Sequence, residues 1–313
     1  MLKRLLTGIV IMLIFAGSFA LRFVSPYFFD AFILLATLFC SYEVCSAFEK
    51  GGKKNDKYIN LSYPVLIYAG FLIAKFTNLE VFTYFAIIIA IMVALFAVTL
   101  VINVSRKKKI NIEMVETNFN GNFKTYVLKK SLLNLFLMVY PTFLMSLIFV
   151  INNLTAFKNI NNTSGASLEF MLLIILFVST IVTDTCAYLV GSGIRGKKLC
   201  PNISPNKTIS GAVGGFICAI AVCLAMYMIF YQIGAYSVLF ANYNIIIWHF
   251  LGYGVFASII SQFGDIFASF IKRRNNIKDY GKIFPGHGGV MDRFDGVMFN
   301  AIITFIFGLI VIL

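Results

Sequence analysis

IIIWHFLGYGVFASIISQFGDIFASFI, residues 245–271, decides the fold class. The run carries one carboxylate, Asp265, and as a helix it outreaches the roughly 30 Å hydrocarbon core of a bilayer. Comparable runs recur along the whole 313-residue chain. The composition is 60% hydrophobic and 12% charged, against roughly 25% charged in soluble domains, so no sizeable soluble domain is expected. The runs are continuous rather than alternating, which excludes an outer-membrane barrel. The chain therefore reads as all-α, a polytopic membrane protein with about nine transmembrane helices, near 5–23, 27–48, 58–76, 81–104, 131–152, 168–190, 211–232, 245–271 and 296–313. The first run, with Lys3 and Arg4 ahead of it and Ser18-Phe19-Ala20 near its end, also fits a cleavable leader. With so many spans behind it, a retained helix is expected.

Charge sets the orientation. With these spans, every Lys and Arg except Arg22, Lys75 and Lys158 falls on one side. By the positive-inside rule that side is cytoplasmic, so the N-terminus is expected inside and the C-terminus outside. The net charge of +13 then describes a basic face suited to anionic headgroups or nucleotides. Cys40, Cys45, Cys186, Cys200, Cys218 and Cys223 form no C-x-x-C pair, so packing roles are expected rather than disulfides or zinc. Residues 1–150 read as a transmembrane scaffold with lipid-facing helices, their carboxylates Asp30 and Glu43 close to span ends. Residues 151–313 read as the transmembrane catalytic region, because polar residues enter the membrane there.

Three constellations carry the chemistry. Thr180, Asp184, Tyr188 and Ser192 share one helix face, serving either a metal or an interhelical hydrogen bond. Ser258, Ser261, Gln262, Asp265, Ser269 and Lys272 form a polar stripe on the 245–271 helix. Asp265 lies inside the membrane and needs a partner, either a divalent cation or a basic side chain. Beyond it come Lys272, Arg273, Arg274, Lys278, Asp279, Lys282, His287-Gly288-Gly289, Asp292, Arg293 and Asp295. Cations to neutralise phosphate beside carboxylates to hold a metal indicate phosphoryl or nucleotidyl chemistry at a membrane surface. Between the first two groups, the 191–211 loop brings glycines and Ser204-Pro205-Asn206-Lys207-Thr208, a phosphate-binding composition without a Walker A pattern.

These residues resemble the phosphatidate cytidylyltransferases. Ser269, Ile271, Lys272, Arg273, Lys278, Asp279, Gly281, Phe284, Pro285, His287, Gly288, Gly289, Val290, Asp292, Arg293, Phe294 and Asp295 fill every specified position of that family's hallmark. Asp184-x-x-Ala187-Tyr188, Ser204-Pro205-x-Lys207-Thr208 and Gly264-Asp265 match its other motifs, with Ser210 where Glu or Gln is usual. The resemblance implies transfer of CMP from CTP to phosphatidate with Mg²⁺, a second, monovalent cation, and a homodimer in the cell membrane with its site on the cytoplasmic side. It assigns Asp265, His287, Asp292 and Lys272 to catalysis, and Ser204, Lys207, Arg273, Arg293 and Lys278 to substrate. Asp265, Asp292, Asp184 and Asp295 are the metal candidates. The bilayer is a partner and nucleic acid is not expected. An isoprenoid-ether lipid phosphate is the rival acceptor. A secondary transporter is the rival class, disfavoured because the polar groups gather at one end of the spans rather than at the midplane.

Overall fold

A computed structural model describes residues 2–77, 81–105, 123–155, 167–284, 286 and 288–312. Its helices are α1 (Leu2–Leu21), α2 (Pro26–Lys50), α3 (Lys57–Phe76), α4 (Val81–Ser105), α5 (Phe123–Leu137), α6 (Leu144–Asn152), α7 (Leu168–Ile194), α8 (Ile209–Gln232), α9 (Gly234–Asn242), α10 (Ile247–Arg274) and α11 (Met291–Ile312). A kinked segment at Met138–Phe143, with Pro141 inside it, joins α5 to α6, and together they make one span. Among the described residues, eight helices are long and apolar enough to cross a membrane, and α1 adds a shorter apolar stretch, Gly8–Leu21. The polytopic all-α reading holds.

Two departures bear on function. The 191–211 loop is not irregular: Lys198–Cys200 and Ser204–Thr208 pair as an antiparallel ribbon, β1–β2. Arg195 adopts a left-handed backbone conformation at the end of α7 and turns the chain into it. Thr208 then caps α8 by accepting from the Gly211 N–H at 3.1 Å, leaving one orphan donor fewer. The last helix begins at Met291 rather than near 296, which puts Asp292 and Asp295 inside its first two turns.

The described cations separate by end. Lys53 donates to Asn275 at 3.4 Å, Lys130 to Asp56 at 2.8 Å, and Arg273 to the Ile203 carbonyl at 3.2 Å. These contacts gather the basic loops and the ribbon at one end of the bundle. Burial raises the Asp56 carboxyl, but the Lys130 ammonium and the amides of Asn134 and Asn103 outweigh it and hold the group below the usual carboxylate range. At the opposite end Arg22 donates to Asn152 at 2.6 Å and Lys75 to Asn153 at 2.7 Å, and both asparagines donate to the buried Asp30. The run 106–109 and Lys158 lie outside the described residues.

Small residues bring α7 and α8 together. A Cβ added at Gly211 would stand 2.5 Å from the Ala187 carbonyl oxygen and 3.1 Å from the Gly191 Cα, both backbone atoms. Gly211→Ala is expected to destabilise the fold by about 1–3 kcal/mol through overpacking, read as a lowered thermal midpoint in detergent. Gly193→Ala, with open space around it, is the matched control and should leave the midpoint in place.

Candidate active site

Asp265 sits two turns before the end of α10. Its Oδ2 meets the Lys207 ammonium of β2 at 2.5 Å, and both side chains remain part-exposed, at 30% and 26%. The partner of this carboxylate is thus a loop cation, not Lys272. A cavity of about 780 Å³ opens around the pair, lined by Asp184, Tyr188, Ser192, Ser204 and Gln262 among others. That volume is ample for a nucleotide-sized ligand. Asp184, Tyr188 and Ser192 face this cavity together, whereas Thr180 is buried deeper and accepts from the Asn300 amide at 2.8 Å. The face read from the sequence therefore divides by depth into a polar wall and an interhelical bond.

Close packing of α11 on α10 adds Asp295. A Cβ at Gly264 would stand 2.7 Å from the Asp295 carbonyl oxygen, so only glycine permits this approach. Asp184 lies within electrostatic reach of Asp265, Lys207 and Arg293, and Asp295 within reach of Asp265, Lys272 and Asp184. The arrangement is three carboxylates with basic groups interleaved. Among the described residues no three His, Cys, Asp or Glu side chains converge closely enough to hold a metal ion by themselves. An open carboxylate set suits Mg²⁺, which takes one or two carboxylates and completes its sphere with water and substrate phosphates.

Asp292 is built into a different network. Its Oδ1 meets Lys272 at 2.8 Å, while its Oδ2 accepts from the N–H groups of Tyr280 at 3.0 Å and Gly289 at 2.9 Å. The Lys272 ammonium also lies over the Tyr280 ring, 5.4 Å from its centroid. Burial pushes the Tyr280 phenol up, keeping it a neutral donor to the Ala268 carbonyl at 3.1 Å. Among the described bonds, Asp292 has both oxygens engaged by protein donors, whereas Asp265 is met on Oδ2 by Lys207 and Asp295 on Oδ1 by the Gly296 N–H.

The remaining predicted residues divide as follows. Ser204 and Lys207 line the cavity. Arg273 donates to the carbonyls of Ile203 and Ile277, stapling the ribbon to the turn after α10. Lys278 lines a second cavity, of about 540 Å³, with Lys50 and Lys282. Arg293 is exposed near Asp184. His287 lies outside the described residues. Glu43 of α2, legible in the sequence only as a carboxylate near a span end, accepts from the Val290 and Met291 N–H groups. A carboxylate within an apolar helix was the available signal.

Fold and site together define a multi-pass membrane protein with an acidic and basic pocket at one end of its helices. The chain belongs to the cytidylyltransferase family, whose model matches residues 2–311. It is 42% identical over 137 residues to a phosphatidate cytidylyltransferase of Staphylococcus aureus (strain COL), covering 44% of this chain and 48% of that one. It is 40% identical over 143 residues to the Staphylococcus saprophyticus phosphatidate cytidylyltransferase, covering 46% and 50%. The Staphylococcus epidermidis protein of the same name is 44% identical over 127 residues, covering 40% and 45%. The chain thus spans about half the length of the curated relatives it matches.

Proposed function

We propose that this protein transfers CMP from CTP to phosphatidate, giving CDP-diacylglycerol and pyrophosphate. A phosphate oxygen of the lipid forms a bond to the α-phosphorus of CTP, and the bond from that phosphorus to the bridging oxygen of pyrophosphate breaks. The nucleophile is already an anion, so the site's task is positioning and charge neutralisation. The observation that carries this reading is the part-exposed Asp265–Lys207 pair inside the 780 Å³ cavity, with Asp184 on the same wall. Neither partner is sealed off, so lysine can turn to a phosphate and the carboxylate to a cation. The names of the relatives supply the acceptor lipid.

Asp265, with Asp184 on the same cavity wall, would hold Mg²⁺ while Asp295 adds negative charge from behind, and a bound Mg²⁺ would neutralise triphosphate charge. A monovalent cation near it is part of the same reading. Lys207, Ser204 and Arg293 orient phosphate oxygens, and Lys272 with Asp292 fixes the loop above them. The protein acts as a homodimer in the cell membrane with the cavity on the cytoplasmic side. That orientation is supported by the gathering of basic loops at the cavity's end.

Membranes carrying the protein, given labelled CTP and phosphatidate, are expected to form CDP-diacylglycerol only when Mg²⁺ is present. Acceptance of an isoprenoid-ether lipid phosphate in preference to phosphatidate would reassign the acceptor. No product with any lipid acid would overturn the reaction class.

A further inference from the structure

Glu43 is remote in sequence from the cavity residues, and it does not line that cavity. Its side chain is nonetheless committed: the residue is 3% exposed, and both carboxylate oxygens are occupied. The Val290 N–H donates to Oε1 at 3.1 Å and the Met291 N–H to Oε2 at 2.8 Å. These amides belong to the open N-terminus of α11, where backbone donors have no partner within the helix and the helix dipole favours an anion. The loop closes around the same group. Any side chain at Gly281 or Gly289 would collide with the Glu43 carboxylate. A carboxylate buried in a membrane helix is costly, and two backbone donors at a helix end offset part of that cost.

The segment held this way carries Asp292, Arg293 and Asp295. Asp292 grips it from within, through Tyr280, Gly289 and Lys272. Only Glu43 ties the start of α11 to α2 by side-chain hydrogen bonds among the described residues.

We infer that Glu43 is a positioning residue: by anchoring the first turn of α11 to α2, it sets where Asp295 and Arg293 stand against Asp265 and Asp184. The inference rests on the transferase reading for its kinetic consequence, but not for the anchor itself. Glu43→Ala removes both acceptors. Glu43→Gln keeps one oxygen and turns an amide donor toward the other N–H. In purified protein, Glu43→Ala is expected to lower kcat by about 10- to 100-fold, the size of effect that small misplacement of a site produces. KM for CTP should change by a smaller factor than kcat, because the phosphate-orienting Arg293 is displaced rather than removed. Glu43→Gln should fall between. Hydrogen exchange at the Val290 and Met291 amides should accelerate in both variants.

Accelerated exchange with kcat unchanged would overturn the positioning role and leave Glu43 structural. Unchanged exchange in both variants would overturn the anchor. Should Glu43→Ala fail to assemble, Glu43→Gln carries both readouts. If the unsubstituted protein makes no CDP-lipid, the transferase reading fails, while exchange still decides whether Glu43 holds α11.

Discussion

Asp265→Asn is expected to lower CDP-diacylglycerol formation by about 10³-fold or more, the upper range for removing a group that stabilises transition-state charge. The substitution preserves size and one carbonyl oxygen but removes the negative charge. Lys207 loses its 2.5 Å partner, and the cluster of Asp184, Asp265 and Asp295 loses its central member. Insertion and thermal midpoint should change little, since both side chains of the pair are part-exposed and such pairs contribute little to stability. If Asp265 holds Mg²⁺, residual activity should keep rising at Mg²⁺ concentrations that saturate the unsubstituted protein. A variant retaining full activity would remove Asp265 from the site. A lost rate accompanied by a collapsed midpoint would point to the fold instead.

Lys272→Met should behave in the opposite way, losing stability as well as activity. The Lys272–Asp292 pair is nearly enclosed, with side chains 12% and 6% exposed. Removing one partner of such a pair costs about 3–5 kcal/mol, because the other is left charged and unpaired in a low-dielectric setting. Asp292 would keep its bonds from Tyr280 and Gly289, so the loop should loosen rather than detach. Asp292→Asn should be at least as damaging. A single amide oxygen cannot face both N–H groups and the lysine, and the amide nitrogen would confront one of them. Thermal midpoints and transfer rates of the two single variants and their double variant give the coupling between the pair. A double variant whose loss equals the sum of the singles would show that the two groups act independently and would dismiss the clasp.

Much of the site was legible because its chemistry is concentrated. Charged residues near a bilayer are costly without partners, so Asp265 and the 272–295 cluster stood out against a chain that is 12% charged. Helical periodicity correctly put Asp184, Tyr188 and Ser192 on one face, because i, i+4 spacing is a local property. Depth along that face was not legible, and Thr180 proved to be a buried partner of Asn300. The β1–β2 ribbon was also missed. Its strands are only three and five residues long, too short to announce themselves by alternation. Glu43 was seen as a carboxylate near a span end, but nothing local indicates that a backbone 247 residues away supplies its donor.

The amino-acid sequence alone determined the membrane class, the helical spans, the basic end of the bundle and a set of candidate residues whose chemistry suits phosphate and a divalent cation. Those follow from hydropathy, charge and motif spacing, which are properties of neighbouring residues. Only the tertiary structure decided the pairings: Lys207 rather than Lys272 on Asp265, Lys272 on Asp292, and Glu43 on the first turn of α11. Each joins groups brought together by helix packing. Periodicity can say which face a side chain occupies, but close approach of two backbones, as at Gly264 and Gly211, selects what it meets.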